Sequence, residues 1–397
     1  MGEERRRRNG ATNFFRALLA LIAVGTAVAM VLLWPSDRPE ILSSGITGPT
    51  ESAEIVEVTQ GPCTPPQEGT CTTAEAMLDS GPDEGTTVTL LVGFGPLVPD
   101  LEAGDGVRLS KVEAPEGAQG QPSDPQYNLT DLERGAPMLW LALIFAAMVI
   151  LFGRLRGALS LVGLAASLLV VVLFIVPAIL GGRAPLTIAI VGSMAVMLLT
   201  ISLAHGLGPK SLAAMLGTTV SLAVVALLAL LFVDLTHLTG LAGDESALIQ
   251  LGDTDISFRG LLLAGMVIGA LGVLDDVTVS QASTVLALRS ANPALRFAEL
   301  YRRAIDVGRD HVSATVNTLV LAYIGTSLPV LLIFGSGGIG AVDAANVELV
   351  AQEIVATLVG SIGLIAAVPV TTALAAAMAT RIAPEDLPAD VGHAHVH

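Results

Sequence analysis

Eight stretches, roughly residues 14–34, 137–152, 158–180, 185–204, 211–233, 257–279, 312–334 and 354–379, are long, apolar and nearly free of charge. Each approaches the ~20 residues that an α-helix needs to cross a hydrocarbon layer about 30 Å thick. Inside that layer the backbone has no water to bond, so a crossing segment must satisfy its own N–H and C=O groups as a helix. Composition agrees, with 52% hydrophobic residues, 14% charged residues and a mean hydropathy of +0.71, far too apolar for a soluble domain with a polar surface. These features predict an all-α polytopic membrane protein of about eight transmembrane helices, with the lipid bilayer as its first partner.

Basic residues set the expected orientation, because lysine and arginine near span ends stay on the cytoplasmic side. The opening MGEERRRRNG puts residues 1–13 inside as a cytoplasmic N-terminus. Alternating sides from there leaves fourteen of the twenty basic residues inside, including those near 153–157, 210, 289–309 and 381. The tail, residues 382–397, is then cytoplasmic as well. The first apolar stretch is longer than a usual signal-peptide core and lacks an A-x-A site before Ser36, so residues 14–34 read as an uncleaved anchor. Trp34 and Trp140 fall at the outer ends of the first two spans, where indole favours the interface.

Residues 35–136 form the one long polar segment, placed outside between helices 1 and 2. EIVEV, TTVTLLV and DGVRLSKV alternate apolar and polar residues between Gly, Pro and Asp, the pattern of half-buried strands. A small β-rich extracytoplasmic domain, barrel or sandwich, is expected. Cys63 and Cys71 bracket CTPPQEGTC in a compartment where disulfides persist, and a bridge closing so short a loop stabilises by roughly 2–3 kcal/mol. Residues 114–124, APEGAQGQPSD, read as a flexible connector.

Residues 137–381 are expected to form a seven-helix core. Its sixth span ends in GVLDDVTVSQ, after fifteen uncharged residues, 260–274. Seven of the ten residues at 275–284 are polar, and they surround the helix, a surface that lipid cannot cover. Successive helical residues differ by about 100°, so Asp275 and Asp276 cannot face one point; Asp276 shares a stripe with Ser280 and is expected to face the interior. Intramembrane acids mark ion paths and proton relays, and a partly buried one can carry a proton. The seventh span opens GRDHVSATVNTLVLAYIGTSLP, with Asp310 and His311 at its mouth and Asn317 and Thr318 deeper. Packed against the sixth span, Asp276, Gln281, His311, Asn317 and Thr318 would line one cavity, histidine beside acids suiting proton exchange.

Gly265, Gly269 and Gly272 form a small-xxx-small ridge that would admit another backbone. Pro177, Pro329 and Pro369 lie within spans, where each removes a backbone bond and frees a carbonyl. The inner stretch RSANPALRFAELYRRAIDVGRDH suits a short amphipathic helix at the membrane surface. Acidic outer loops are expected near residues 244–255 and 343–353. His393, His395 and His397 read as a solvated tail. No Walker A, GxSxG, HExxH or CxxC pattern occurs, no internal repeat is evident, and Asp234 belongs near the membrane face opposite the paired acids, too far for an aspartyl dyad. No enzyme activity, cofactor, metal site or nucleic-acid partner is expected.

The run GALGVLDDVTVSQASTVLALRSANP, followed by EL, AIDVGRDHVSATVNTLVLAYIGTSLPVLLIF, resembles the YibE/F-like family of bacterial multi-pass membrane proteins. The resemblance covers about residues 139–378. It implies Asp276, Asn292, Pro293, Gly308, Arg309, Asp310, Asn317, Thr318, Tyr323, Gly325 and Pro329 as pattern-bearing residues and a permease-like role without a defined substrate. Asp275 beside Asp276 departs from that pattern. The expected function is transport of a small solute or ion coupled through the paired carboxylates, with a homo-oligomer possible. The alternative is a non-transporting scaffold or sensor whose outer domain binds a partner.

Overall fold

A computed structural model describes residues 2–35, 50–63, 70–94, 99–112, 126–243, 256–338 and 340–382. The expected acidic loop at 244–255, the connector at 114–124 and the tail histidines lie outside the described residues. The chain divides into two compact units, residues 40–148 and the remainder. The second boundary falls inside a helix rather than at 136.

The helices are α1 (Gly2–Leu32), α2 (Gly135–Val170), α3 (Val176–Leu180), α4 (Pro185–His205), α5 (Pro209–Leu235), α6 (Phe258–Ala291), α7 (Phe297–Ser336), α8 (Ala341–Asn346) and α9 (Glu348–Ala379). Among the described residues, seven helical stretches are long and apolar enough to cross a membrane, and one of them, Gly135–Leu180, runs 46 residues. At 1.5 Å per residue that is about 69 Å, more than twice the hydrocarbon thickness. The helix breaks at Arg154, whose φ of 51° and ψ of −132° are non-helical. Just beyond, a side chain on Gly157 would run into the carbonyl of Val149, so glycine is required where the chain turns back. The stretch is therefore long enough to hold two of the eight expected spans. A π-helical turn, Val171–Ile175, precedes Pro177, accommodating a residue with no N–H to donate.

Two span boundaries differ from expectation. The amphipathic inner helix is not a separate element: after a turn at 292–296, α7 runs unbroken from Phe297 to Ser336. Arg289, buried, donates to the carbonyls of Pro293 and of Leu295 (2.6 Å), closing that turn. Leu300, Ala304 and Gly308, four residues apart, are the buried stripe of α7. Likewise the expected acidic loop at 343–353 is largely helical, since α9 begins at Glu348.

In the bundle unit α6 packs against α4, α5, α7 and α9. Close approach rests on small residues: a side chain on Gly217 would strike Thr371, and one on Gly363 would strike Val225, so α5 and α9 meet nearly backbone to backbone. The expected ridge on α6 does not serve this purpose. Nothing lies within 4 Å of a side chain built at Gly265 or Gly272, and at Gly269 the Tyr323 hydroxyl lies 3.6 Å away.

Several polar groups inside the bundle pair with protein. Thr218 and Thr278 share a buried hydroxyl contact of 2.7 Å. Gln281 Nε2 donates to Ala304 O at 2.8 Å and to Thr372 Oγ1 at 2.7 Å, tying α6 to α7 and α9. Ser280, Ser283 and Thr284 bond back to carbonyls of their own helix. This local satisfaction explains how a helix can be polar all round at 275–284 without a water-filled surround.

Among the described residues, the other unit contains five antiparallel strands, β1 (Thr50–Pro62), β2 (Thr70–Leu78), β3 (Thr87–Phe94), β4 (Gly106–Val112) and β5 (Gln126–Leu132), ordered β3-β2-β1-β4-β5. The sheet curls until its edge strands β3 and β5 approach each other, a five-stranded, partly closed barrel. Alternate residues fill it: Ala53 and Ile55, Ala74, Ala76 and Leu78, Val88 and Leu90, Val107 and Leu109. The bulge at Ile55/Glu57 resets that alternation so that Val58 again points inward. Cys63 and Cys71 form a disulfide, as expected.

Tyr127 Oη lies 2.8 Å from Glu51 Oε2 and 2.7 Å from Asp83 Oδ2, with one proton to donate to either, and Lys111 Nζ pairs with the same Asp83 oxygen. Burial, then the two acids, raises the phenol's pKa, while Lys111 and then Tyr127 hold the Asp83 carboxyl below the usual carboxylate range. A depressed pKa contributes stability that is complete above the unfolded carboxylate's range and is lost as pH falls through the folded value.

Two outcomes test these packing assignments in the full-length protein. Tyr127→Phe should destabilise the barrel by roughly 1.5–3 kcal/mol, the worth of a hydrogen bond to charged groups, and should raise the pH at which acid exposes it to protease. Gln281→Leu should lower the midpoint of thermal unfolding in detergent, by about 1 kcal/mol of interhelical bonding. An unchanged midpoint would show that the bridge across three helices is not what holds α7.

Candidate functional site

The two adjacent aspartates sit seventeen and eighteen residues along α6 from Phe258, about 26 Å into the helix. Thr200 fixes their level against α4. Its Oγ1 lies 3.2 Å from Asp275 Oδ2, five residues, about 8 Å, before α4 ends at His205. The pair therefore lies near the end of the bundle where α4 turns into α5.

The 100° step between neighbours separates their surroundings as expected, but the more enclosed of the two acids is Asp275. Asp275, expected to face an adjacent helix or water, is half-buried and bonded across to α4, and its second oxygen, Oδ1, is buried with no partner among the described residues. Asp276, expected to face the interior, is exposed. The physical reason is the identity of the neighbour: α4 packs on the Asp275 side of α6, and Gly272 on the Asp276 side is uncovered.

Both acids border one cleft of about 280 Å³ between α4, α6 and the second part of α2. Ser160, Gly163 and Ser167 of α2 line it at helical spacing, with Thr200, Ala204 and His205 from α4 and Gly272 and Val279 from α6. At Gly163 α2 lies close to α4, and a Cβ built there would sit 3.6 Å from the Thr200 backbone, in ordinary contact. Ser167 spends its proton on the carbonyl of Gly163 at 2.8 Å. Thr200 has a choice: its single proton can go to Asp275 or to Val196 O at 2.9 Å.

Among the described residues, the side chains expected to line one cavity between α6 and α7 are not brought together. Gln281 is buried, but its amide is consumed in the bridge to α7 and α9. Asn317, Thr318 and Asp310 are exposed on the side of α7 turned away from its buried stripe, and Thr318 bonds to Ala314 O at 3.0 Å. His311 is half-buried, its Nε2 unpartnered among the described residues, and it is not in the cleft. The register of α7 decides this: its inward face is Leu300, Ala304, Gly308, Val312 and Val316, which turns Asn317 outward. Ser280 lies beside the cleft with its hydroxyl bonded to Val277 O.

Several pattern-bearing residues are structural here. Asn292 caps α6 and receives the N–H of Ala294, and Pro293 offers its carbonyl to Arg289. A side chain on Gly308 would meet Val368 at 2.6 Å and Gln281 at 2.9 Å. Arg309 pairs with Asp306 in the open at 3.3 Å. Gly325 is uncovered, and Pro329 and Pro369 lie inside continuous helices away from the cleft. Asp234 pairs with Arg259 at 3.0 Å, about 24 Å along α6 from Asp275.

Ser160, Ser167, Thr200 and His205 were not singled out from sequence. The available signal was a pair of serines seven residues apart flanking Gly163, and a Thr and a His near the end of a largely apolar span. Neither signal specifies a partner helix.

A family model described as YibE/F-like protein matches residues 141–381. No curated protein and no solved structure matches the chain. The matched region is more than half of the chain and contains the cleft, both acids and every helix that surrounds them, so this multi-pass membrane protein belongs to the YibE/F-like family.

Proposed function

We propose that the protein is a permease-like carrier in which Asp275 takes up and releases a proton or small cation, coupled to movement of a small solute. The observation that carries this reading is the half-buried Asp275 carboxyl, with one oxygen bonded to Thr200 and the other buried and unpartnered, at the edge of a cleft. A buried carboxylate oxygen without a donor is costly in a medium of low dielectric. Binding a proton or a cation removes that cost. The site is thus suited to alternate between two occupancies.

Thr200 supports both states. An ionised Asp275 accepts the threonine proton. A protonated Asp275 donates to Thr200 Oγ1 instead, and the threonine proton turns to Val196 O, 2.9 Å away. Asp276, open to the cleft beside it, is the entry station, and His205 is within the same cleft as an exchange partner. With the orientation set by the basic residues, this end faces the cytoplasm of a bacterial plasma membrane.

Purified protein in liposomes, under a potassium diffusion potential and with an interior pH-sensitive dye, should show proton or monovalent-cation flux above protein-free vesicles. Asp275→Asn should lower that flux at least tenfold while leaving the protein folded and monodisperse, and Thr200→Val should lower it less. Wild-type flux in Asp275→Asn would remove the mechanism.

A further inference from the structure

A second acid lies inside the membrane-spanning part of the bundle, and the Asp275 site makes no use of it. Glu353 sits five residues into α9, half-buried, and its carboxylate has no hydrogen bond or ion pair among the described residues. Antiparallel contacts fix its depth. Gly308 of α7 meets Val368 of α9, and Leu319 meets Gly360, which brings Glu353 level with residues near Ser327. From there α7 continues nine residues, about 13 Å, to Ser336.

Glu353 opens into a cleft of about 320 Å³ between α7 and α9, walled by Val320, Ile324, Leu331, Val350, Ile354 and Leu358. Its other polar neighbours there are Tyr323, Ser327 and Thr357, and Thr357 already donates to the Glu353 carbonyl at 2.7 Å. The chemistry of this lining is selective. A hard metal cation needs about six oxygen ligands, which the walls do not supply. An anion would face an uncompensated carboxylate. A neutral solute would leave that carboxylate desolvated and unpaired. A cation carrying hydrocarbon groups satisfies both the charge and the apolar walls, and the Tyr323 ring adds a cation–π surface.

We propose that this cleft binds a small apolar organic cation, an ammonium or phosphonium with hydrocarbon substituents, with Glu353 as its counter-charge and Tyr323 as its aromatic wall. As the substrate station of a coupled carrier the site rests on the reading of Asp275 above; as a binding site it does not.

Equilibrium binding of radiolabelled tetraphenylphosphonium to the purified full-length protein tests it, with tetraphenylborate as a probe of equal size and opposite charge. Saturable binding of the cation alone is expected, weakened at least tenfold in Glu353→Gln and retained in Asp275→Asn. Because both native cysteines are in the disulfide, Ser327→Cys adds a single thiol to the cleft, and the cation should slow its alkylation. No saturable binding to the wild type, equal binding of tetraphenylborate, or wild-type binding by Glu353→Gln would each overturn the assignment. Glu353-dependent binding together with wild-type flux in Asp275→Asn would overturn the carrier mechanism and leave this site standing.

Discussion

A hydrocarbon environment offers no water to a polar group, and the bundle is organised around that constraint. Ser167, Ser280, Ser283, Thr284 and Thr318 each bond to a carbonyl one turn back on their own helix. Thr218 meets Thr278, and Gln281 is divided between α7 and α9. Such pairs are worth little individually, about 0.6 kcal/mol on average in membranes, but leaving them unmade would cost more. Against this background Asp275 Oδ1 stands apart as the carboxylate oxygen among the buried side-chain atoms that lack a partner within the described residues.

The same constraint separates structural from chemical roles along α6 and α7. Residues that look functional by type, Gln281, Asn292 and Arg289, are consumed in holding the two helices and their turn together. Gly308 belongs with them, because α7 and α9 could not meet around a side chain there. The cleft that Asp275 and Asp276 border takes its other wall from α2 and α4, more than a hundred residues earlier in the case of α2. The barrel unit follows a different logic. It has water on its surface, and its charged cluster of Glu51, Asp83, Lys111 and Tyr127 is arranged around one buried phenol.

Much of the barrel was legible because strand burial alternates with period two, and EIVEV, TTVTLLV and DGVRLSKV carry that alternation in large apolar residues. β2 was less legible, since its inward positions Ala74 and Ala76 are small and its sequence is dominated by threonine and alanine. The inner amphipathic stretch was misjudged as a separate helix. Its periodicity is helical, but nothing local indicates whether a helix stops before the next span, and here α7 simply continues.

The sequence by itself determined that the chain spans a membrane about eight times, that a β-rich unit is inserted after the first span, and that two acids lie near the end of an apolar helix. Those properties depend on local hydropathy, periodicity and charge, which each segment carries alone. Only the tertiary structure decided which acid is enclosed. A helix places Asp275 and Asp276 about 100° apart whatever surrounds it, and the burial of one over the other follows from α4 packing on the Asp275 side while Gly272 stays uncovered. That choice is made by contacts between distant segments, and one span's sequence does not contain the identity of its neighbour.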